Sequence, residues 1–349
     1  MATTSASSTP KKRRGKAAKR DGTVLVTGAS GFIGSHVVRK LLERGRKVRC
    51  YNEPGANLRN LEGLDVEHVE GDINDRERIG QALEGCDTLY HLAAIYKLWL
   101  PDNSLMYEVN VEGTKTVLFA AMKANLKKVV YTSSIAAVGQ PPSGDIADET
   151  TEFNLWDESN HYVRSKWLSE RDALRFAREG VPVVVVNPAF PFGERDIGPT
   201  PTGRFIVETL NGNVPGYMDG GFNVVDVDDV AEGHVLAEEK GRVGERYILG
   251  GHNVTYKEFY DLVAEIGGCK PVKRKLPSRM MWGIAWAMEQ VAERTQKPPP
   301  MTYKAARYAT RRLWFDTSKA RNELGMPRTP LRETLDKAIR WFRANGYAN

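Results

Sequence analysis

The chain has 349 residues, is 41% hydrophobic and carries a formal net charge of +6, so it can bury a large core in one large domain or two closely joined ones. Residues 1–21 contain seven basic residues and one acid, whereas the remainder contains 43 residues of each sign. The body is therefore formally neutral, and its composition excludes a basic nucleic-acid-binding domain.

The N-terminal segment accounts for the net charge. Residues 1–22 are rich in Ser, Thr, Ala, Lys and Arg and lack apolar periodicity, which predicts a disordered basic tail. The cluster at 11–20 is compatible with weak contact to a membrane or another anionic surface, a nuclear importer or nucleic acid, although no nucleic-acid partner is required. A solvated extension is the simpler interpretation.

From Thr23 onward, short runs rich in β-branched residues alternate with helical stretches. Strands are predicted at 24–26, 47–51, 66–69, 88–91, 128–132 and 181–186, and the first helix at 32–43. Continuous apolar strands separated by helices predict an α/β fold, a Rossmann-type doubly wound parallel sheet covered on both faces. We place this domain at 23–190.

After residue 187 the pattern loosens, and Gly and Pro become frequent. Helical periodicity recurs at 203–211, 228–240, 255–266, 278–295 and 330–345. We expect a smaller, mostly helical substrate-binding part at 191–349, some segments of which return to the first domain. This part should cap the C-terminal edge of the sheet, where ligands bind in doubly wound folds.

A glycine-rich turn, TGASGFIG (27–34), follows the first strand and opens the first helix with the spacing G-x-x-G-x-x-G. Gly28 permits a tight turn, Gly31 lets the backbone approach a pyrophosphate, and Gly34 allows helix and strand to pack closely. This context predicts a dinucleotide-binding loop, whereas a purely structural turn is the alternative. The predicted contact residues are Gly28, Ser30, Gly31, Phe32, Ile33 and Gly34.

The end of the second strand indicates which dinucleotide binds. Glu53 can accept hydrogen bonds from the adenosine ribose hydroxyls and would repel a 2′-phosphate, which favours NAD over NADP. Arg59 leaves a phosphate contact open, and a solvated turn residue is the alternative for Glu53. Asp72, followed by Ile73, can accept a hydrogen bond from the adenine amino group, or it can cap a helix. Both functions can be present together if Asp75 is the residue that caps the helix.

Tyr162 and Lys166 lie one helical turn apart in Y-V-R-S-K. An ammonium beside a phenol lowers its pKa, so Tyr162 is predicted to exchange a proton with an alcohol or carbonyl oxygen. Lys166 can also bind the nicotinamide ribose. A surface Tyr–Lys pair is the alternative if this motif is considered alone.

Further polar residues accompany this pair. Ser134 follows the fifth strand and can donate to a developing oxyanion, although turn-forming serines are the alternative. Asn110 lies in a long helical segment and could hold a water or pack at a helix bend. His91 ends an apolar strand and is more simply a packed histidine, and the six histidines show no metal-ligand spacing, so no metal is expected.

Together these motifs resemble the extended short-chain dehydrogenase/reductase superfamily, also called the NAD-dependent epimerase/dehydratase family. The resemblance covers about 23–345, and the matching segments are 27–34, GDI (71–73), HLAA (91–94), NVEGT (110–114), YTSS (131–134), YVRSK (162–166) and NPAFPFG (187–193). The resemblance implies that Ser134, Tyr162 and Lys166 move a hydride between substrate and nicotinamide. It also implies cofactor contacts from Ile73, Leu92, Ala93, Ala94, Asn110 and Pro188, and a homodimer formed through the helices that bear Asn110 and Tyr162.

Within this family the chain is most similar to hopanoid-associated sugar epimerases, through residues 198–234, and to dihydroflavonol-4-reductase-like enzymes. Departures from the family patterns narrow the function. Ile135-Ala136 follows Ser134 where sugar-nucleotide dehydratases carry an acidic pair, and Phe222 stands where sugar-nucleotide epimerases often carry a diphosphate-binding arginine. Both differences disfavour a nucleotide-sugar substrate.

Apolar side chains flank the predicted site. Segments 95–100 and 190–192 follow strands near the ligand crevice, and 280–288 forms an apolar helix for which core or interdomain packing is the favoured interpretation. Such walls fit a hydrophobic or aromatic ketone. The predicted substrate residues are Tyr96, Trp99, Ser134, Phe190 and Phe222.

The location follows from composition. The absence of an apolar stretch after Met1 predicts no secretory signal, and Met280–Met288 is far shorter than the ~20 residues that span a bilayer. Cys50, Cys86 and Cys269 are widely spaced, as in a reducing compartment. A cytoplasmic protein is expected, with peripheral membrane association left open.

Three functions remain at this point. The first is an NAD(H)-dependent ketone reductase or alcohol dehydrogenase for a hydrophobic small molecule, such as an isoprenoid, a polyketide or an aromatic heterocycle of specialised metabolism. The second is an NAD-dependent sugar epimerase that shows no net NADH turnover. The third is a non-catalytic NAD-binding protein, which the intact Ser–Tyr–Lys set disfavours.

Overall fold

The computed structural model describes residues 22–97, 99–141, 146–299 and 301–348. The predicted basic tail, including the cluster at 11–20, lies outside the described residues except for Gly22. The strands are β1 (Thr23–Thr27), β2 (Lys47–Asn52), β3 (Glu67–Glu70), β4 (Cys86–His91), β5 (Lys128–Thr132), β6 (Val183–Pro188), β7 (Phe190–Phe192), β8 (Gly221–Asp226), β9 (Arg246–Leu249), β10 (His252–Thr255) and β11 (Arg312–Leu313).

The helices begin with α1 immediately after the glycine-rich turn. They are α1 (Phe32–Glu43), α2 (Arg76–Leu83), α3 (Ser104–Tyr107), α4 (Thr114–Lys123), α5 (His161–Arg178), α6 (Pro201–Leu210), α7 (Val227–Lys240), α8 (Tyr256–Gly267), α9 (Ser278–Thr295), α10 (Tyr303–Ala309) and α11 (Leu331–Ala344). In the part of the chain that the structure describes, none is long and apolar enough to cross a membrane.

The larger sheet has seven parallel strands in the order β3-β2-β1-β4-β5-β6-β9. Along β1, Val24 and Val26 enter one apolar core with α1 and α7, whereas Leu25 enters the core on the other face with α2, α4 and α5. Apolar residues therefore serve both faces, as a parallel sheet covered by helices requires. The predicted doubly wound Rossmann-type fold is confirmed.

The strands after β6 were not predicted from the sequence. β8 is the centre of a small sheet in which β10 pairs antiparallel and β7 and β11 pair parallel, while β9 joins the large sheet beside β6. These strands have two to six residues, so their apolar patterns are too short to recognise. The segment after residue 190 consequently contributes both to the small layer and, through β9 and α7, to the large sheet.

The apolar helix α9 has the predicted bounds but not the favoured environment. Core or interdomain packing was expected for its large side chains, yet Met280, Ile284, Trp286 and Met288 are all exposed. The residues of α9 that are buried are the small ones, Ala285 and Ala292. The packing interpretation is wrong for these large side chains because the helix contacts its neighbours along this narrow alanine side.

A buried carboxylate fastens α5 to the sheet. Glu170, only 3% exposed, accepts a hydrogen bond at 2.6 Å from Asn187 Nδ2 on β6 and another at 2.9 Å from the Arg246 guanidinium on β9. Asn187 Nδ2 also donates to the Ser134 carbonyl at 2.9 Å. One carboxylate therefore couples α5, β6, β9 and the turn after β5.

We expect Glu170→Gln to destabilise the fold by about 3 kcal/mol, because it leaves the partly buried Arg246 cation without its anionic partner. The exposed Glu179→Gln at the end of the same helix should cost less than about 0.5 kcal/mol. Urea unfolding of both variants measures the difference, and equal stabilities would contradict a structural role for Glu170.

Candidate active site

The glycine-rich turn has the geometry expected of a dinucleotide loop. Gly28 has φ 66°, and a Cβ there would lie 2.8 Å from the Ala93 nitrogen. A Cβ on Gly34 would lie 2.2 Å from the Gly28 carbonyl oxygen, so the turn and α1 pack too closely for a side chain. A Cβ on Gly31 would meet the same oxygen at 3.2 Å, a milder contact.

The N-terminus of α1 is suited to phosphate. Among the described residues no side chain caps this helix, and its first turn contains no acid, whereas Asp75 and Asn160 cap α2 and α5. The first-turn N–H groups, which include those of Phe32 and Ile33, lack intrahelical acceptors and favour an anion. These residues fit the pyrophosphate of a dinucleotide.

Asn52 is a supporting residue that the sequence reading missed. Its Oδ1 accepts the Ser30 N–H at 2.9 Å, so this backbone donor of a predicted contact residue is already engaged. The side chain is buried at the end of β2 and holds the glycine-rich turn against that strand. A lone Asn before Glu53 carries no sequence signal for this role.

The adenosine side of the groove contains both predicted acids. Glu53 is exposed immediately after β2, and Asp72 is exposed shortly after the neighbouring β3. Asp75, rather than Asp72, caps α2, which leaves Asp72 outside the cap. The Arg59 guanidinium donates to Asn345 Oδ1 at 2.7 Å, so Arg59 is tied to the C-terminal region.

The turn after β4 is built on Thr27. Its Oγ1 accepts the N–H groups of Leu92 and Ala93, both at 3.2 Å, and lies 2.8 Å from His91 Nδ1. Burial lowers the pKa of His91 to about 3, which leaves a neutral, packed imidazole. Ala94, the next predicted contact residue, is exposed.

Asn110 occupies a π-helical turn (Glu108–Gly113) between α3 and α4. Its Oδ1 accepts the Ile95 N–H at 2.7 Å, and its Nδ2 donates to the Ile95 carbonyl at 3.1 Å and to Ser165 Oγ at 3.0 Å. Asn110 therefore ties the loop after β4 to α5, a structural role at a helix irregularity. Ile73 is buried against the neighbouring Gly113, and Pro188 is buried at the end of β6.

Ser134, Tyr162 and Lys166 meet at the C-terminal edge of the large sheet. The Lys166 ammonium donates to the Thr132 carbonyl at 2.8 Å, at the end of β5. Ser134 follows β5, and its hydroxyl is close enough to the Tyr162 phenol to lower the pKa of Tyr162. The structure thus brings together the three residues predicted to carry the chemistry.

The protonation state of Tyr162 differs from the expected one. Burial outweighs the effect of Ser134 and raises the pKa of Tyr162 to about 12, whereas the sequence suggested a lowered value. Burial also lowers the pKa of Lys166 to about 8, against the opposing charge of Glu170. With a pKa of about 12, Tyr162 holds its proton near neutral pH and can donate it.

Two further tyrosines lie beside the Tyr162 phenol. The Tyr96 ring lies 4.9 Å from that of Tyr162, and Tyr308 on α10 is close enough for the Tyr162 charge to contribute to its raised pKa. The sequence reading missed Tyr308, since no motif surrounds it and only the packing of α10 brings it here. Trp99 is half-buried in the loop after β4.

The prediction that Phe222 contacts the substrate is wrong. It is 0% exposed, and its ring lies 5.1 Å from that of Phe190 and 5.1 Å from that of Phe259. It sits in β8, whose six residues are all buried, and so it supports the partly exposed Phe190 from behind. A residue at this position cannot reach a ligand in this fold.

Comparison with known proteins agrees with these features. The NAD dependent epimerase/dehydratase family pattern matches residues 24–250. A Synechocystis protein named dihydroflavonol 4-reductase is 37% identical over 327 residues, which cover 93% of this chain and 95% of the relative. Sterol demethylase protein B of Methylococcus capsulatus is 35% identical over 326 residues, which cover 93% of this chain and 99% of the relative.

A solved structure shows the same architecture. The crystal structure of a nucleoside-diphosphate-sugar epimerase from Pseudomonas aeruginosa has a TM-score of 0.79 and 29% sequence identity, covering 94% of this chain and 99% of the other. The resemblance drawn from the motifs is confirmed.

Lys166 should make the stability of the fold depend on pH. Its pKa is lowered to about 8 from an ordinary 10.5, so the folded chain releases this proton before the unfolded chain does. Stability should therefore rise between about pH 8 and 10, by up to about 3 kcal/mol relative to Lys166→Met, which lacks this contribution.

Urea unfolding across this pH range measures the effect. The exposed Lys270→Met serves as the control and should follow the wild type. A Lys166→Met profile parallel to that of the wild type would show that Lys166 is not titrating in this range.

Proposed function

The chain belongs to the NAD-dependent epimerase/dehydratase family, and from this premise we propose that it is an NAD(H)-dependent ketone reductase or alcohol dehydrogenase for an apolar or aromatic small molecule. The observation that carries the proposal is the position of the Tyr162 phenol beside Ser134 at the end of β5, with the Tyr96 ring 4.9 Å from the Tyr162 ring. Such a site supplies a proton donor within an apolar wall.

In the reductive direction, Tyr162 Oη donates its proton to the carbonyl oxygen of the substrate. The Ser134 hydroxyl orients that oxygen and stabilises its developing negative charge. Lys166, held on the Thr132 carbonyl, provides a positive charge near the phenolate that remains. NAD, held by the glycine-rich turn and the N-terminus of α1, supplies a hydride donor or acceptor when bound.

The paired arginines next to Tyr308 and the residue at position 222 disfavour a nucleotide sugar. Arg311 and Arg307 share the Glu158 carboxylate, at 2.5 and 3.2 Å, so both guanidinium groups already have an anionic partner, although one of the two positive charges is not neutralised. Position 222 holds a phenylalanine sealed inside the small sheet. A diphosphate would need unpaired cations or several N–H donors at this end of the groove.

Epimerisation is the second candidate, favoured by the likeness to the Pseudomonas aeruginosa epimerase structure. An epimerase returns the hydride to its substrate and so shows no net NADH consumption, whereas a reductase consumes NADH in proportion to product. NADH oxidation against a panel of apolar and aromatic ketones, with UDP-sugars as the contrast, separates the two. Turnover of UDP-sugars without net NADH change would favour the second candidate.

Tyr162→Phe should lower kcat for ketone reduction about 10²- to 10⁴-fold, the usual contribution of a positioned general acid. NADH binding, followed by fluorescence titration, should remain. Tyr260→Phe, another buried tyrosine, is the matched control and should retain activity. Full activity of Tyr162→Phe would reject the proposed mechanism.

Glu53→Gln should strengthen NADPH binding about tenfold relative to NADH, because it removes about 1.4 kcal/mol of repulsion against a 2′-phosphate. The exposed Glu62→Gln, which lies past the same strand end, controls for the general loss of negative charge. The ratio of kcat/KM for the two cofactors measures the effect, and an unchanged ratio would remove Glu53 from the ribose site.

A further inference from the structure

Helix α9 presents an apolar stripe to the outside of the molecule. The stripe consists of Met280, Ile284, Met288 and Val291, whose exposed fractions are 44%, 39%, 39% and 60%. At about 100° per residue, these four positions fall within a sector of roughly 80° on one side of the helix.

The rest of α9 accounts for its packing. Ala285 and Ala292 are the buried residues, and Glu289 accepts the Tyr303 N–H at 3.0 Å. Glu289 and Glu293 lie on the side of the helix opposite the stripe by the same helical repeat. The stripe is thus a separate, carboxylate-free face on which four large apolar side chains lie side by side rather than scattered singly over the surface.

A run of cations leads directly into this helix. Residues 270–279, KPVKRKLPSR, contain five basic residues and no acid. The five basic residues are all exposed, and they are Lys270, Lys273, Arg274, Lys275 and Arg279. Lys275 pairs with Asp219 at 2.8 Å, whereas the other four make no ion pair within the described ranges.

We propose that the α9 stripe and the basic run form a docking surface for an anionic lipid bilayer. An exposed apolar helical face flanked by Lys and Arg is the pattern of a helix that lies in the membrane interface. The stripe would insert at the boundary between lipid headgroups and acyl chains, while the basic run contacts lipid phosphates. A symmetric dimer through α9 fits less well, because it would bring two copies of the basic run to one interface.

The docking surface is one helix away from the reactive groups. α9 packs on α10, and the Arg307 guanidinium on α10 lies 5.6 Å from the centroid of the Trp282 ring on α9. The same α10 carries Tyr308, which lies near Tyr162. Delivery of an apolar substrate from the bilayer to this site is a consequence that rests on the proposed function, whereas docking itself does not.

Cosedimentation of the full chain with vesicles tests the proposal. The vesicles are phosphatidylcholine alone or phosphatidylcholine with about 30% phosphatidylglycerol. We expect binding to the anionic vesicles, and at least a tenfold lower partition coefficient for Ile284→Gln/Val291→Gln, since each side chain loses about 1 kcal/mol or more of apolar burial. Lys273→Glu/Arg274→Glu should abolish the preference for anionic vesicles.

Ile146→Gln/Val243→Gln is the matched control, because it makes the same two changes at exposed positions outside α9. Its binding should equal that of the wild type. The proposal is overturned if the full chain does not bind anionic vesicles, or if Ile284→Gln/Val291→Gln and Ile146→Gln/Val243→Gln lose binding equally. It is also overturned if deleting residues 1–21 abolishes binding that Ile284→Gln/Val291→Gln retains.

Size-exclusion chromatography with light scattering tests the alternative that a second copy of the chain, rather than a bilayer, covers the α9 stripe. An oligomeric state that is unchanged by Ile284→Gln/Val291→Gln supports lipid docking, and dissociation of a dimer by that variant overturns it. Because neither measurement involves turnover, failure of the docking surface and failure of the reductase proposal are distinguishable.

Discussion

The buried carboxylate of Glu170 determines where the reactive groups lie. It joins α5 to β6 through Asn187 and to β9 through Arg246. Asn187 in turn holds the carbonyl of Ser134, and the Glu170 charge opposes the desolvation of Lys166, one turn earlier on α5. Ser134 and Lys166 are therefore both linked to Glu170, the first through the hydrogen bonds of Asn187 and the second through charge, because a buried charge must be satisfied from several sides at once.

Burial also decides the chemical state of the site. Desolvation raises the pKa of Tyr162 to about 12, so the phenol keeps its proton, and it lowers the pKa of the buried His91 to about 3, so that imidazole stays neutral. The pKa of Lys166 is shifted downward, since desolvation disfavours the charged form of a lysine. On the proposed function, the same apolar surroundings would also disfavour a charged diphosphate substrate, so acid–base chemistry and substrate preference would have a common origin.

Much of the site could be predicted because its residues occupy local patterns. The glycine-rich turn, the Tyr–Lys pair and the serine after β5 are short motifs next to recognisable strands, and the order of those strands brings their ends to one edge. Asn52 and Tyr308 could not be predicted, since neither belongs to a local pattern. Each is placed by contacts with residues distant in the sequence, Asn52 with Ser30 and Tyr308 with Tyr162.

The sequence by itself determined the alternating strands and helices, the glycine-rich turn and the residues of the candidate site, because these depend on periodicity and spacing within a few tens of residues. Only the tertiary structure decided that Phe222 is sealed in the small sheet and that the large apolar residues of α9 are exposed. An apolar side chain is equally compatible with a core, a ligand wall and an outer surface. Which of these it occupies depends on the neighbours that the rest of the chain places against it.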